Sequence, residues 1–158
     1  MRIKLTLAGS LALLALAGCG SSDPPETPAA CLQPTSAYLD ALDAAPGEVR
    51  LDGTTPISSC LVADQASGPL QTVGKSIVGA ATELNREILR NPDRETIVRL
   101  GYLVGAVQQG ASSTSGIHRD LVLRLDSAAR YSGPDGEPFG AGFERAFGEG
   151  YAAGQTGR

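Results

Sequence analysis

The chain has 158 residues, of which 42% are hydrophobic, a size and composition typical of a single globular domain with a packed core. It carries 17 acidic and 13 basic side chains, for a formal net charge of −4. An acidic chain without runs of basic residues argues against nucleic-acid binding and against electrostatic docking on anionic lipid.

The first 18 residues are organised like a secretory signal, with a basic start followed by an apolar run over residues 5–17. This run is too short for a bilayer span, which needs about 20 apolar residues. It closes on Leu16-Ala17-Gly18-Cys19, which resembles the lipobox of bacterial lipoproteins. The resemblance implies that the chain is cut before Cys19, acylated there and anchored on the extracytoplasmic side of a bacterial membrane. The alternative is an ordinary signal peptide with a chance cysteine.

Cleavage at that point would leave a tether followed by a folded domain. It removes two basic residues and no acid, so the mature chain would have 11 basic and 17 acidic side chains, a net charge of −6. Residues 20–30 hold three prolines and almost no bulky apolar side chain, which predicts an extended, disordered segment. We therefore expect a signal peptide over 1–18, a lipidated N-terminus and tether over 19–30, and a helical domain over 31–155.

Two cysteines remain after lipidation of Cys19. Cys31 and Cys60 form an even pair in a chain exported to an oxidising compartment, which predicts a disulfide bond between them. Two free thiols or a metal pair are the alternatives. A closed zinc site usually takes four ligands, more than two cysteines and a single histidine supply. No motif for a metal or cofactor is present, so none is expected.

Apolar residues recur with helical spacing along the mature chain, and no stretch alternates as a strand does. This pattern predicts an all-α fold, a small bundle of about four main helices preceded by one or two short ones. The short helices are expected from Thr35 or Ser36 to Ala45 and over 56–65, and the main helices over 69–90, 92–110, 117–130 and 138–153. Asn91 is the expected N-cap of the helix over 92–110, with Pro92 at its first position.

The helix over 92–110 has the widest apolar face and is expected to be central. Gly101 and Gly105 each cost about 1 kcal/mol of helix propensity relative to alanine. Their presence is explained if a neighbouring helix approaches closely at these positions.

His118 is the only histidine of the chain, and it can be interpreted either as a catalytic residue or as a structural one. In a hydrolase it would act as general base, with Ser112, Ser113 or Ser115 as nucleophile. A triad also needs an acid that orients the ring, and Asp120 points to a different side of the helix. No nucleophile motif of the G-x-S-x-G type is present. The favoured interpretation is therefore a partly buried histidine that fills a helix N-terminus.

The last predicted helix carries an aromatic stripe with a spacing of four residues. The stripe consists of Phe139, Phe143, Phe147 and Tyr151. We expect it to close the bundle core, with Gly101 and Gly105 leaving room for its rings. The alternative is that part of the stripe, together with His118, lines a groove for an apolar ligand.

The expected function is that of a lipid-anchored binding or interaction module, with a protein or a small apolar molecule as partner. Absence of catalytic motifs favours this class over an enzyme. The alternative is an extracytoplasmic hydrolase that uses His118.

Overall fold

The computed structural model describes residues 26–129 and 140–157. Five α-helices and two short 3₁₀ helices make up this part of the chain, with one isolated bridge between Leu51 and Thr55 and no strand, so the predicted all-α bundle is confirmed. The α-helices are α1 (Thr35–Leu42), α2 (Ser67–Arg90), α3 (Arg94–Ser112), α4 (Arg119–Ala129) and α5 (Ala141–Thr156). The lipobox and Phe139 lie outside the described residues.

The folded domain begins earlier than the predicted boundary at residue 31. Thr27 and Ala30 are buried, and a 3₁₀ helix spans Ala29–Leu32. Gln65 donates a hydrogen bond from Nε2 to the Thr27 hydroxyl over 2.7 Å. Residues 27–30, the end of the predicted tether, therefore pack against the domain. This segment has few apolar side chains of its own, and its contact with the distant Gln65 holds it in place.

The predicted disulfide between Cys31 and Cys60 is confirmed, with a Cα–Cα distance of 5.3 Å. It joins the first 3₁₀ helix to the second, which spans Ile57–Cys60. Both cysteines are fully buried, and Tyr38 of α1 donates a hydrogen bond to the carbonyl oxygen of Cys31 over 2.8 Å. The disulfide bond thus fixes the N-terminal segment to the bundle.

Several predicted helix ends were wrong. The expected short helix over 56–65 is only the 3₁₀ helix Ile57–Cys60. Asn91 does not cap α3, because its extended backbone ends α2 instead. The N-cap is Asp93, whose carboxylate accepts a hydrogen bond from the backbone N–H of Thr96 over 2.9 Å. That bond satisfies one of the unpaired donors of the first turn.

Helix α3 is central, as predicted, with twelve of its 19 residues buried. Its main partner is α5, and the two helices meet through glycines on both sides. A Cβ atom built at Gly105 would lie 2.2 Å from the Tyr151 carbonyl oxygen, and one at Gly150 would lie 2.0 Å from the Val98 carbonyl oxygen. No side chain fits at such distances, so the two backbones are in direct contact.

The same contacts give the relative direction of α3 and α5. Gly150 packs against the backbone of Val98, and Gly154 packs against the backbone of Tyr102. Because the contact positions increase together along both helices, α3 and α5 run parallel. The prediction that a neighbouring helix approaches Gly101 and Gly105 closely is confirmed. The expectation that these glycines leave room for aromatic rings is wrong, because the backbone of α5 takes that space.

Within the described part of the chain, no helix is long and apolar enough to cross a membrane.

Candidate functional site

The aromatic stripe is only partly buried. Phe143 is 9% exposed, while Phe147 and Tyr151 are half-buried. The rings stack along the helix, with centroids 5.7 Å apart for Phe143 and Phe147 and 6.3 Å apart for Phe147 and Tyr151. The residues of α5 that face α3 most closely are small, namely Ala146, Gly150 and Gly154. Phe143 is thus part of the core as expected, while Phe147 and Tyr151 pack against the core and stay partly exposed.

A pocket of about 490 Å³ lies where the first turns of α3 and α5 face each other. Phe143 lines it together with Ile97 and Ala146. The remaining lining residues are Pro92, Arg94, Gly140, Gly142 and Arg145. Its volume is in the range of small-molecule sites, and its inner wall is apolar. Of the described aromatic residues, Phe143 alone lines this pocket.

Two arginines stand at the rim of this pocket. Arg94 forms an ion pair with Glu149 of α5, which connects the two walls. No acidic side chain pairs with Arg145 among residues 26–129 and 140–157. The apolar body of a ligand would be buried against Phe143 and Ile97, and its polar or anionic end would contact Arg145 at the rim.

His118 does not belong to this pocket. Phe143 lies beside Ile97 at the start of α3, whereas His118 follows the end of α3, so the two occupy opposite ends of that helix. His118 therefore shares no groove with Phe143. Sequence order alone could not show this, because it depends on the direction of α5.

The His118 ring is fully buried and bonded at both nitrogens. Its Nε2 is 2.7 Å from Gln65 Oε1, and its Nδ1 is 2.9 Å from the Thr114 hydroxyl. Gln65 Nε2 donates to the carbonyl oxygen of Cys60 over 3.1 Å, which fixes the orientation of the amide because a carbonyl can only accept. Nε2 of the histidine therefore donates to Gln65, while the single hydroxyl proton of Thr114 lies within reach of both Nδ1 and the Ala111 carbonyl oxygen, which is 2.8 Å away.

This network makes His118 a structural link between distant segments. Through Gln65 it connects the start of α4 to Thr27 and to the disulfide-bonded Cys60. The interpretation of His118 as a structural residue gains support, and its ring is more buried than the partly buried side chain that we expected. Thr114 lies with His118 on the turn between α3 and α4, where no helical spacing indicates the pair. Gln65 left no signal in the sequence, because it is far away along the chain.

The described residues do not assemble the site that the alternative interpretation, a hydrolase, would need. The hydroxyls of Ser112 and Ser113 donate to carbonyl oxygens of α3, at Gln109 and Gly110. Neither ring nitrogen of His118 has a carboxylate as hydrogen-bond partner within the described part. A general base also has to reach substrate, and a ring without solvent exposure does not.

The described ranges contain no cluster of three or more histidine, cysteine or acidic side chains able to hold a metal ion. Comparison with known proteins adds no assignment: no protein family, curated protein or solved structure matches this chain.

Burial lowers the pKa of His118 below its ordinary value of 6.5. The ring is neutral in the folded state but takes up a proton in the unfolded state when the pH falls below its ordinary pKa. The free energy of unfolding therefore depends on pH. We expect full stability above about pH 6.5 and a loss as the pH falls below it, with a slope approaching about 1.4 kcal/mol per pH unit. Urea unfolding between about pH 5 and pH 7.5 measures this slope, and His118→Gln should flatten it. A wild-type protein equally stable across this window would contradict a buried neutral ring.

Proposed function

We propose that the protein is a lipid-anchored binding module on the extracytoplasmic side of a bacterial membrane. The anchor is supported by the basic and apolar start that closes on Leu16-Ala17-Gly18-Cys19. Two or more acyl chains at Cys19 would hold the protein firmly, since each buried methylene contributes about 0.8 kcal/mol. The binding site is the pocket between α3 and α5, and its ligand is a small molecule with an apolar body.

The observation that carries the binding proposal is the pocket lined by Phe143, Ile97 and Ala146. Burying an apolar ligand there removes hydrocarbon surface from water on both partners, at about 25 cal/mol per Å². The guanidinium of Arg145 at the rim, which pairs with no acidic side chain of the described ranges, gives the ligand one polar contact. An apolar body with a polar or anionic end is therefore the ligand chemistry that fits best.

The lipid anchor is tested by Cys19→Ser, which removes the only thiol that the lipobox offers. We expect the wild-type protein in the membrane fraction with an acylated N-terminus, and the variant released from membranes or retained with its signal peptide. Cell fractionation with mass spectrometry of the N-terminus measures both. Wild-type protein that is entirely in the soluble fraction and carries no lipid would contradict the anchor.

The pocket is tested by filling it. Gly142 lines the pocket and has open space where a Cβ would be, so Gly142→Leu should occupy the cavity without straining the backbone. We expect N-phenyl-1-naphthylamine, whose fluorescence rises in apolar sites, to bind the wild type and to bind Gly142→Leu at least about tenfold more weakly, a loss of about 1.4 kcal/mol.

Gly148→Leu is the matched control, because Gly148 is another exposed glycine of α5 with open space around it and does not line the pocket. It should bind the probe like the wild type. Equal binding by both leucine variants, or no binding by the wild type, would remove the pocket from the proposal.

A further inference from the structure

The point at which the chain leaves the folded domain limits the distance between the domain and the proposed lipid anchor. Thr27 is buried and accepts a hydrogen bond from Gln65, so the domain begins there. Cys19 lies eight residues earlier, and eight fully extended residues span at most about 28 Å. A domain the size of residues 27–157 is about 36 Å across. The surface around Thr27 is therefore the part of the domain that the anchor holds nearest the bilayer.

Thr27 lies at the end of the bundle where α2 and α4 begin. Gln65 precedes α2 by two residues and bonds both to Thr27 and to His118, which directly precedes α4. The pocket at Phe143 lies at the opposite end of α3. This helix has 19 residues and is about 28 Å long. The bundle therefore has one end at the anchor and its pocket at the other end.

Two exposed apolar side chains lie at the end of the bundle that contains Thr27. Three large apolar side chains are exposed in the described part of the chain, and Leu32 and Ile117, at 42% and 38%, are two of them. Leu32 lines one surface groove, and Ile117 lines a second together with the half-buried Leu70. The two grooves share Gln71 and Arg124 and are parts of one continuous surface. We call this surface, with Leu32, Leu70 and Ile117, the exit face.

The backbone holds the exposed apolar side chains of the exit face in place. Leu32 lies between Cys31, which forms the disulfide bond, and Gln33, whose carbonyl oxygen accepts a hydrogen bond from Ser76 over 2.8 Å. Ile117 directly precedes the buried histidine, whose ring is bonded at both nitrogens. Inserting side chains that are already held in place removes apolar surface from water with little loss of conformational freedom.

The charges of the exit face do not oppose contact with a lipid surface. Among the described residues, its two grooves are lined by two basic and two acidic side chains, namely Lys75, Arg124, Glu83 and Asp120. This surface is therefore neutral, although the chain carries a net charge of −4. Repulsion between an acidic protein and anionic lipid is weakest where the local charge is balanced.

We propose that the exit face contacts the bilayer that holds the lipid anchor, with Leu32 and Ile117 inserted at the boundary between headgroups and acyl chains. This orientation rests on the proposed acylation of Cys19 and adds the direction in which the domain faces. The pocket at Phe143 points away from the bilayer, at the far end of α3, and takes its ligand from the aqueous phase.

Tryptophan fluorescence in vesicles tests this orientation, because the chain contains no tryptophan of its own. The full mature lipoprotein, with its acylation verified by mass spectrometry, is reconstituted into phosphatidylcholine vesicles with and without brominated acyl chains, which quench tryptophan on contact. We expect brominated lipid to cause a strong loss of emission from Leu32→Trp and from Ile117→Trp, since both side chains lie within the bilayer surface.

Leu123→Trp is the matched control. Leu123 is a leucine of α4 that is 61% exposed, more than either side chain of the exit face, and it lines neither groove. A tryptophan there has the same intrinsic preference for a lipid interface. It should nevertheless keep its emission in brominated vesicles, because the orientation of the domain holds it away from the lipid.

The proposal is overturned if brominated lipid leaves Leu32→Trp or Ile117→Trp unquenched in acylated protein, or if it quenches all three variants equally. Unquenched tryptophans that are shielded from dissolved iodide would show that a second copy of the chain covers the exit face, which also overturns it. A protein without acyl groups would instead contradict the anchor itself and remove the orientation with it.

Discussion

The contact between the backbones of α3 and α5 is the constraint on which the rest of the structure depends. Glycines at 101 and 105 on α3 and at 150 and 154 on α5 remove the side chains that would hold two helices apart. Each glycine costs about 1 kcal/mol of helix propensity, so four of them in two helices are a substantial local penalty. The close approach offsets it through dispersion contacts and Cα–H···O=C contacts along both backbones.

This contact also determines where the aromatic rings of α5 lie. Because the glycine face of α5 rests on α3, Phe147 and Tyr151 lie beside the interface rather than inside it, and the Tyr151 hydroxyl donates to Gln108 over 2.6 Å. At the start of α5, Phe143 and Ala146 line the pocket together with Gly140 and Gly142. The proposed ligand site therefore lies at the end of the interface between α3 and α5.

Much of the fold could be predicted, because it depends on patterns within single elements. Helical periodicity predicted all four long helices, and the even pair of exported cysteines predicted the bond between Cys31 and Cys60. Apart from helix ends such as the N-cap of α3, the errors concern partners that are distant along the chain. A local pattern cannot show that Gln65 meets His118, or that the backbone of α5 rather than its rings meets Gly105. Of the residues that line the candidate pocket, only Phe143 was predicted, since the facing wall comes from the start of α3.

The central claim is that α3 and α5 touch through their backbones, and the unfolding free energies of two glycine variants test it most directly. A Cβ at Gly105 meets the Tyr151 carbonyl oxygen at 2.2 Å, whereas a Cβ at Gly148 meets nothing within 4 Å. In chemical denaturation, Gly148→Ala should gain up to about 1 kcal/mol from helix propensity. Gly105→Ala should instead lose about 1–3 kcal/mol or more, because the helices must separate. A similar gain in both variants would contradict the account.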